Sequence, residues 1–152
     1  MLYKSSYIVE KKQYGQFFTH PSIANQIVNE ICDEIITERF WKPLHTCKED
    51  FLKIKRLLDE VLELKFVDPA MGDGVFLIEI IRYFEEFLLK LWHFCSSSYL
   101  ENIIMYFREK LALDFSLVGK KDPLTLDIWK LHIIRTIVYG VDLDPNIVQE
   151  AR

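Results

Sequence analysis

Apolar residues recur at helical spacing early in the chain, at Ile23, Ala24, Ile27, Val28, Ile31, Cys32, Ile35, Ile36 and Phe40. The spacing predicts an amphipathic helix of about five turns. Pro21 suits its first turn, Thr19 or His20 can cap it, and Pro43 is expected to end it. A polar stretch from His45 to Asp50 leads to a second helix. Its apolar face is Phe51, Leu52, Ile54, Leu57, Leu58, Val61 and Leu62. Residues 64–68 read as a short strand. Residues 75–94 read as a helix apolar on most sides, hence buried.

Beyond it, Ser98 with Glu101 forms a capping-box signature for a helix carrying Leu100, Ile103, Ile104, Phe107 and Leu111. Residues 113–122 read as loop. Asp122-Pro123 can start another helix, running to about Arg135. Residues 137–142, Ile-Val-Tyr-Gly-Val-Asp, are a second strand ending in an acid, and Asp144-Pro145 can cap a last helix. That helix has only about two turns when the chain stops, and two strands make a poor sheet. The sequence is therefore expected to be the front part of something longer: a truncation, an isolated segment or a split subunit. An unpaired sheet edge beside the second strand would permit self-association. The expected division is an N-terminal helical region, 1–63, and an incomplete α/β unit, 64–152.

The turn after the first strand is where chemistry enters. Asp68-Pro69-Ala70-Met71-Gly72-Asp73-Gly74 runs from a strand end through a tight turn into a helix. Gly72 and Gly74 can adopt positive φ and let a ligand approach the backbone. The helix start aims unpaired N–H groups and positive partial charge at the turn. Strand carboxyl ends are where open α/β sheets bind ligands. If the strands pair in parallel, Asp142 lies near the turn, where its carboxylate can accept from both hydroxyls of a ribose.

Sixty-eight positions separate Gly74 from Asp142, against about twenty in a dinucleotide fold. The excess is a helical insertion over 96–125. A dinucleotide fingerprint would need glycine at position 77, which is Leu, and a P-loop would need Gly-Lys-Ser/Thr, whereas Val75-Phe76 follow Gly74. Asp73 in the turn repels a pyrophosphate and suits a cationic ligand such as a sulfonium.

Composition narrows the setting. Half of the 152 residues are hydrophobic and 14% aromatic, enough for a core. The formal net charge of −4 is no nucleic-acid footprint, so DNA contact would be local or made by regions missing from this chain. Three cysteines without a CxxC and without a signal peptide point to a reduced cytoplasm. No apolar run approaches the ~20 residues of a membrane helix. Two His-x-Cys pairs, His45/Cys47 and His93/Cys95, raise zinc, but positions i and i+2 of a helix face apart, and no metal site is expected. Trp41, Trp92 and Trp129 are expected to anchor the core or helix contacts.

Three stretches carry a family resemblance. Phe66-Val67-Asp68-Pro69-Ala70-Met71-Gly72-Asp73-Gly74-Val75-Phe76-Leu77 resembles cofactor motif I of DNA adenine-N6 methyltransferases, the D-P-A-C-G-S-G-x-F-L type. Tyr14-Gly15-Gln16-Phe17-Phe18-Thr19-His20-Pro21 resembles their motif X, and Tyr139-Gly140-Val141-Asp142-Leu143-Asp144-Pro145 their motif II. The order X, I, II is that of the gamma group, which includes type I modification subunits and fused type IIG restriction–modification enzymes.

The resemblance implies a partial Rossmann-like core that binds S-adenosyl-L-methionine. Asp68 and the backbone from Ala70 to Gly72 would hold the methionine end, with Pro69, Met71, Gly74 and Phe76 completing the motif. Thr19 would bond the methionine carboxylate and Phe18 would flank the cofactor. Asp142 would take the ribose hydroxyls and Leu143 would wall the adenine slot. Met71 stands for the common Cys, Asp73 for Ser, and His20 for the first proline of motif X. The catalytic [N/D]-P-P-[Y/F] motif, which grips a flipped-out adenine, is absent: no Pro-Pro occurs in the chain.

The expected function is thus the cofactor-binding part of a site-specific DNA adenine methyltransferase of a restriction–modification system, inactive alone. DNA, and a specificity or restriction subunit, would be its partners. A methyltransferase of another substrate class, or a non-catalytic cofactor-binding or assembly module completed by a partner chain, are the alternatives. A nicotinamide oxidoreductase is a distant third.

Overall fold

The computed structural model describes residues 19–47, 50–95, 97–112, 126–142 and 149, with the side chains of 97–99 and 126–127 left aside. These residues form a mostly helical chain with one small parallel sheet, compatible with a partial α/β fold. The elements in order are α1 (Pro21–Ile36), a π-helical stretch (Thr37–Trp41), α2 (Lys42–Cys47), α3 (Phe51–Leu62), β1 (Phe66–Asp68), α4 (Val75–Phe94), α5 (Ser97–Lys110), α6 (Leu126–Thr136) and β2 (Val138–Gly140).

Pro43 does not end the first helix. Its missing N–H would leave an α-helical carbonyl without a donor. A register shift absorbs this just upstream: the chain winds from Thr37 to Trp41 in π form, and the Lys42 N–H bonds the Thr37 carbonyl. Pro43 then lies in the first turn of α2, where a proline is tolerated. Pro21–Cys47 is consequently one continuous helical arm.

The caps follow the sequence more closely. His20 accepts the Ser22 N–H on Nδ1 at 3.3 Å, and Asp50 accepts that of Lys53 at 3.3 Å. Helix α5 begins at Ser97, one residue before the expected cap Ser98. The start expected at Asp122-Pro123 and the cap expected at Asp144-Pro145 lie outside the described residues.

One hydrophobic cluster joins the arm, α3, α4, α5, α6 and both strands, so residues on either side of position 63 share a core. Phe40, Phe84, Phe107 and Trp129 are its largest fully buried side chains. The Trp129 indole N–H donates to the Phe84 carbonyl at 2.9 Å, tying α6 to α4. Trp92 meets Phe107 edge-on at 5.5 Å and Trp41 meets Phe87 at 5.6 Å, so all three tryptophans anchor helix contacts. The buried stripe of α1 is narrower than its apolar pattern. Ala24, Val28, Cys32 and Ile36 are buried, while Ile23, Ile27 and Ile31 are exposed.

The strands pair in parallel, with Phe66 opposite Val138, Val67 opposite Tyr139 and Asp68 opposite Gly140. Both strands pack on α4, and α6 also meets β2. Val67 and Tyr139 point to the other face and are exposed. No helix among the described residues is long and apolar enough to cross a membrane.

Candidate functional site at the strand ends

Parallel pairing brings the carboxyl ends of β1 and β2 together, and the backbone stitches the turn onto them. The Val141 N–H bonds the Asp68 carbonyl at 2.9 Å, and the Met71 N–H returns to the Val141 carbonyl at 3.0 Å. Asp68 Oδ1 accepts the Ala70 N–H at 3.0 Å. The Gly74 N–H closes the turn on the Met71 carbonyl at 2.7 Å, and the Ile78 N–H opens helix α4 on the Gly74 carbonyl at 2.9 Å. Gly72 has φ 52° and Gly74 φ 76°, conformations that other residues adopt only with strain.

The two acids converge on this turn. Asp142 Oδ2 accepts the Gly72 N–H at 2.9 Å, across seventy positions of sequence. The remaining Asp68 oxygen, Oδ2, is buried and has no hydrogen-bond partner among the described residues. A buried carboxylate oxygen without a donor is costly, so it marks a place where a donor or cation would be favourable. Asp73 is exposed and accepts the Val75 N–H at 3.3 Å, just before the Gly74 that opens α4.

The other expected site residues divide. Pro69 and Ala70 are exposed and Met71 is buried. Phe76 is half-buried and packs against the hydrophobic cluster. Thr19 is half-buried, two residues before α1. Phe18 and Leu143 lie outside the described residues.

Thr19 and the turn share one end of the molecule because the arm and α4 run side by side in the same direction. Contacts progress together along both: Asn25 with Glu79, Asp33 with Tyr83, Phe40 with Phe87, and Trp41 with Phe94. Both helix N-termini therefore lie at the strand-end side.

Two features escaped the sequence reading. Glu79 is buried in α4 at 3% exposure, accepting Asn25 Nδ2 at 2.9 Å and pairing with Arg82. Its signal is a lone acid inside the apolar run Val75 to Ile81. Gly140 is the second: a Cβ there would collide with Met71 Sδ and lie 2.8 Å from Leu77 Cδ1. The bare β2 backbone lets the turn close down on it.

The His-x-Cys pairs serve packing where described. His45 stacks edge-on against Phe94 at 5.3 Å, and His93 Nδ1 lies 2.7 Å from the Leu89 carbonyl. No group of three or more His, Cys, Asp or Glu able to hold a metal occurs among the described residues. No family model, curated protein or solved structure matches the chain.

Proposed function

We propose that this chain is the S-adenosylmethionine-binding part of a DNA adenine-N6 methyltransferase of a restriction–modification system, with a Rossmann-like core begun by β1 and β2. One observation carries the reading: Asp68, which ends β1, and Asp142, two residues past the end of β2, flank a turn of two left-handed glycines at a helix start. The orphaned Asp68 Oδ2 fits a cofactor with an ammonium and a sulfonium group. No lysine or arginine lies between Asp68 and Gly74, so the turn offers a phosphate only backbone and the repulsion of Asp73.

When bound, the cofactor supplies a methyl group activated by positive sulfur. The work of this chain is to hold it. Asp68 and the N–H groups of the turn take the methionine end, Asp142 the ribose, and Thr19 the carboxylate. The adenine-gripping residues and the DNA contacts come, in this reading, from outside these 152 residues.

Calorimetric titration tests it. Saturable heat is expected with S-adenosylmethionine and with S-adenosylhomocysteine, none with NAD, and loss of the signal in Asp68→Ala and Asp142→Ala. Absence of saturable heat at millimolar S-adenosylmethionine, from protein with a normal melting transition, overturns it.

A further inference from the structure

We infer that Asn25, acting through Glu79, is a positioning residue that sets the Thr19 end of the arm against the Gly72–Gly74 turn. This rests on the proposed cofactor site. The link is a chain of polar groups between two helices. The Asn29 amide donates to Asn25 Oδ1 at 3.1 Å, which turns Asn25 Nδ2 towards Glu79 Oε2, 2.9 Å away. Arg82 pairs with the other Glu79 oxygen.

Glu79 is an expensive residue for its place. It is 3% exposed in an otherwise apolar stretch of α4. An apolar side chain of similar size would be neutral or stabilising there, because burying a carboxylate costs more than a pair usually returns. What a buried polar link adds is one fixed register, since Glu79 Oε2 has its donor only when Asn25 stands opposite, while Arg82 serves Oε1 from the same helix. A greasy contact would let α1 slide.

The link also stands at the right height. Glu79 lies five residues into α4 from Gly74, and Asn25 lies six residues beyond Thr19. Glu79 is thus about one and a half turns, roughly 8 Å, from the glycine turn, and Asn25 stands about one turn into α1, which begins two residues after Thr19. His20 is locked into the same turn, since its carbonyl accepts from both Ile23 N–H (2.9 Å) and Ala24 N–H (3.1 Å). Movement at Asn25 is therefore passed to Thr19 with little slack.

The test compares two probes on the whole chain. S-Adenosylmethionine has the methionine carboxylate that Thr19 would meet; 5′-methylthioadenosine has the same nucleoside and lacks it. Asn25→Ala is expected to weaken S-adenosylmethionine about tenfold and 5′-methylthioadenosine less than twofold, with folding checked by the melting transition. Thr19→Val should do the same, and the double variant should be no worse than Thr19→Val alone.

Equal weakening of both probes by Asn25→Ala, or additive losses in the double variant, overturns the inference and leaves the cofactor reading intact. An unaltered affinity in Asn25→Ala does so too. Failure of the unmodified chain to bind either probe overturns both.

Discussion

The arm and α4 meet in two chemically different ways along one interface. Near the glycine turn the contact is polar: Asn25 to Glu79, then Asp33 accepting from the Tyr83 hydroxyl at 2.7 Å. Further along both helices it is aromatic. Phe40, Trp41, Phe84 and Phe87 pack edge to face, with ring centres 5.0–6.3 Å apart. Aromatic packing supplies burial energy but tolerates small slides. Hydrogen bonds to the buried Glu79 and the exposed Asp33 supply less energy and demand one alignment. The polar alignment thus sits nearest the glycine turn, and the aromatic adhesive begins at Phe84, beside Tyr83, and extends away from the turn.

The sharpest way to break that division is at the aromatic end. Phe87→Ala removes a ring that touches Phe40, Trp41 and Phe84 and is 2% exposed. The expected cost is about 3–5 kcal/mol in urea unfolding. A loss below about 1 kcal/mol would mean that the aromatic cluster is not what holds the arm on.

At the strand ends the corresponding test is steric. Gly140→Ala aims a methyl group at Met71 Sδ and Leu77 Cδ1. Methionine can give way, so the expected cost is about 1–3 kcal/mol, not a failure to fold. Met71→Ala in the same background should restore part of it, because the sulfur is then gone. Strictly additive losses in this cycle would deny the contact.

How much of this was legible depends on how far apart the interacting residues are. The helix Val75–Phe94 was readable to the residue, because its period and the preceding glycine turn are local signals. The two short strands were readable as elements but not in their bounds: β1 starts at Phe66 rather than at 64, and β2 stops at Gly140, two residues before the acid expected to close it. Pro43 misled, because the π turn that accommodates it is a property of the upstream backbone and has no residue signature. The Asn25–Glu79 bond and the Gly140–Met71 contact span 54 and 69 positions of sequence. A lone acid or a lone glycine hints at such partners but does not name them. The acids at the strand ends lay between these extremes: their residues could be picked out, while their meeting required the parallel register.

The smallest expected effect sharpens the comparison at its polar side. Tyr83→Phe removes the hydroxyl that Asp33 accepts, and should cost roughly 0.5–1.5 kcal/mol at neutral pH. Its alkaline signature is more telling. Burial, with the neighbouring Asp33 carboxylate, pushes the Tyr83 phenol well above its ordinary value of 10.0. Tyr106, 3% exposed and bonded to Asp59 at 2.9 Å, is pushed up the same way. A phenol raised in the folded chain keeps its proton where the unfolded chain has released it. Its contribution is therefore whole below pH 10 and falls as pH rises through and beyond that value. Stability should decline between pH 10 and 12, and less steeply in Tyr83→Phe and in Tyr106→Phe, each removing part of the slope. An identical decline in both variants would show that neither hydroxyl is held as its bond implies, and the polar end of the interface would lose its claim to fix alignment.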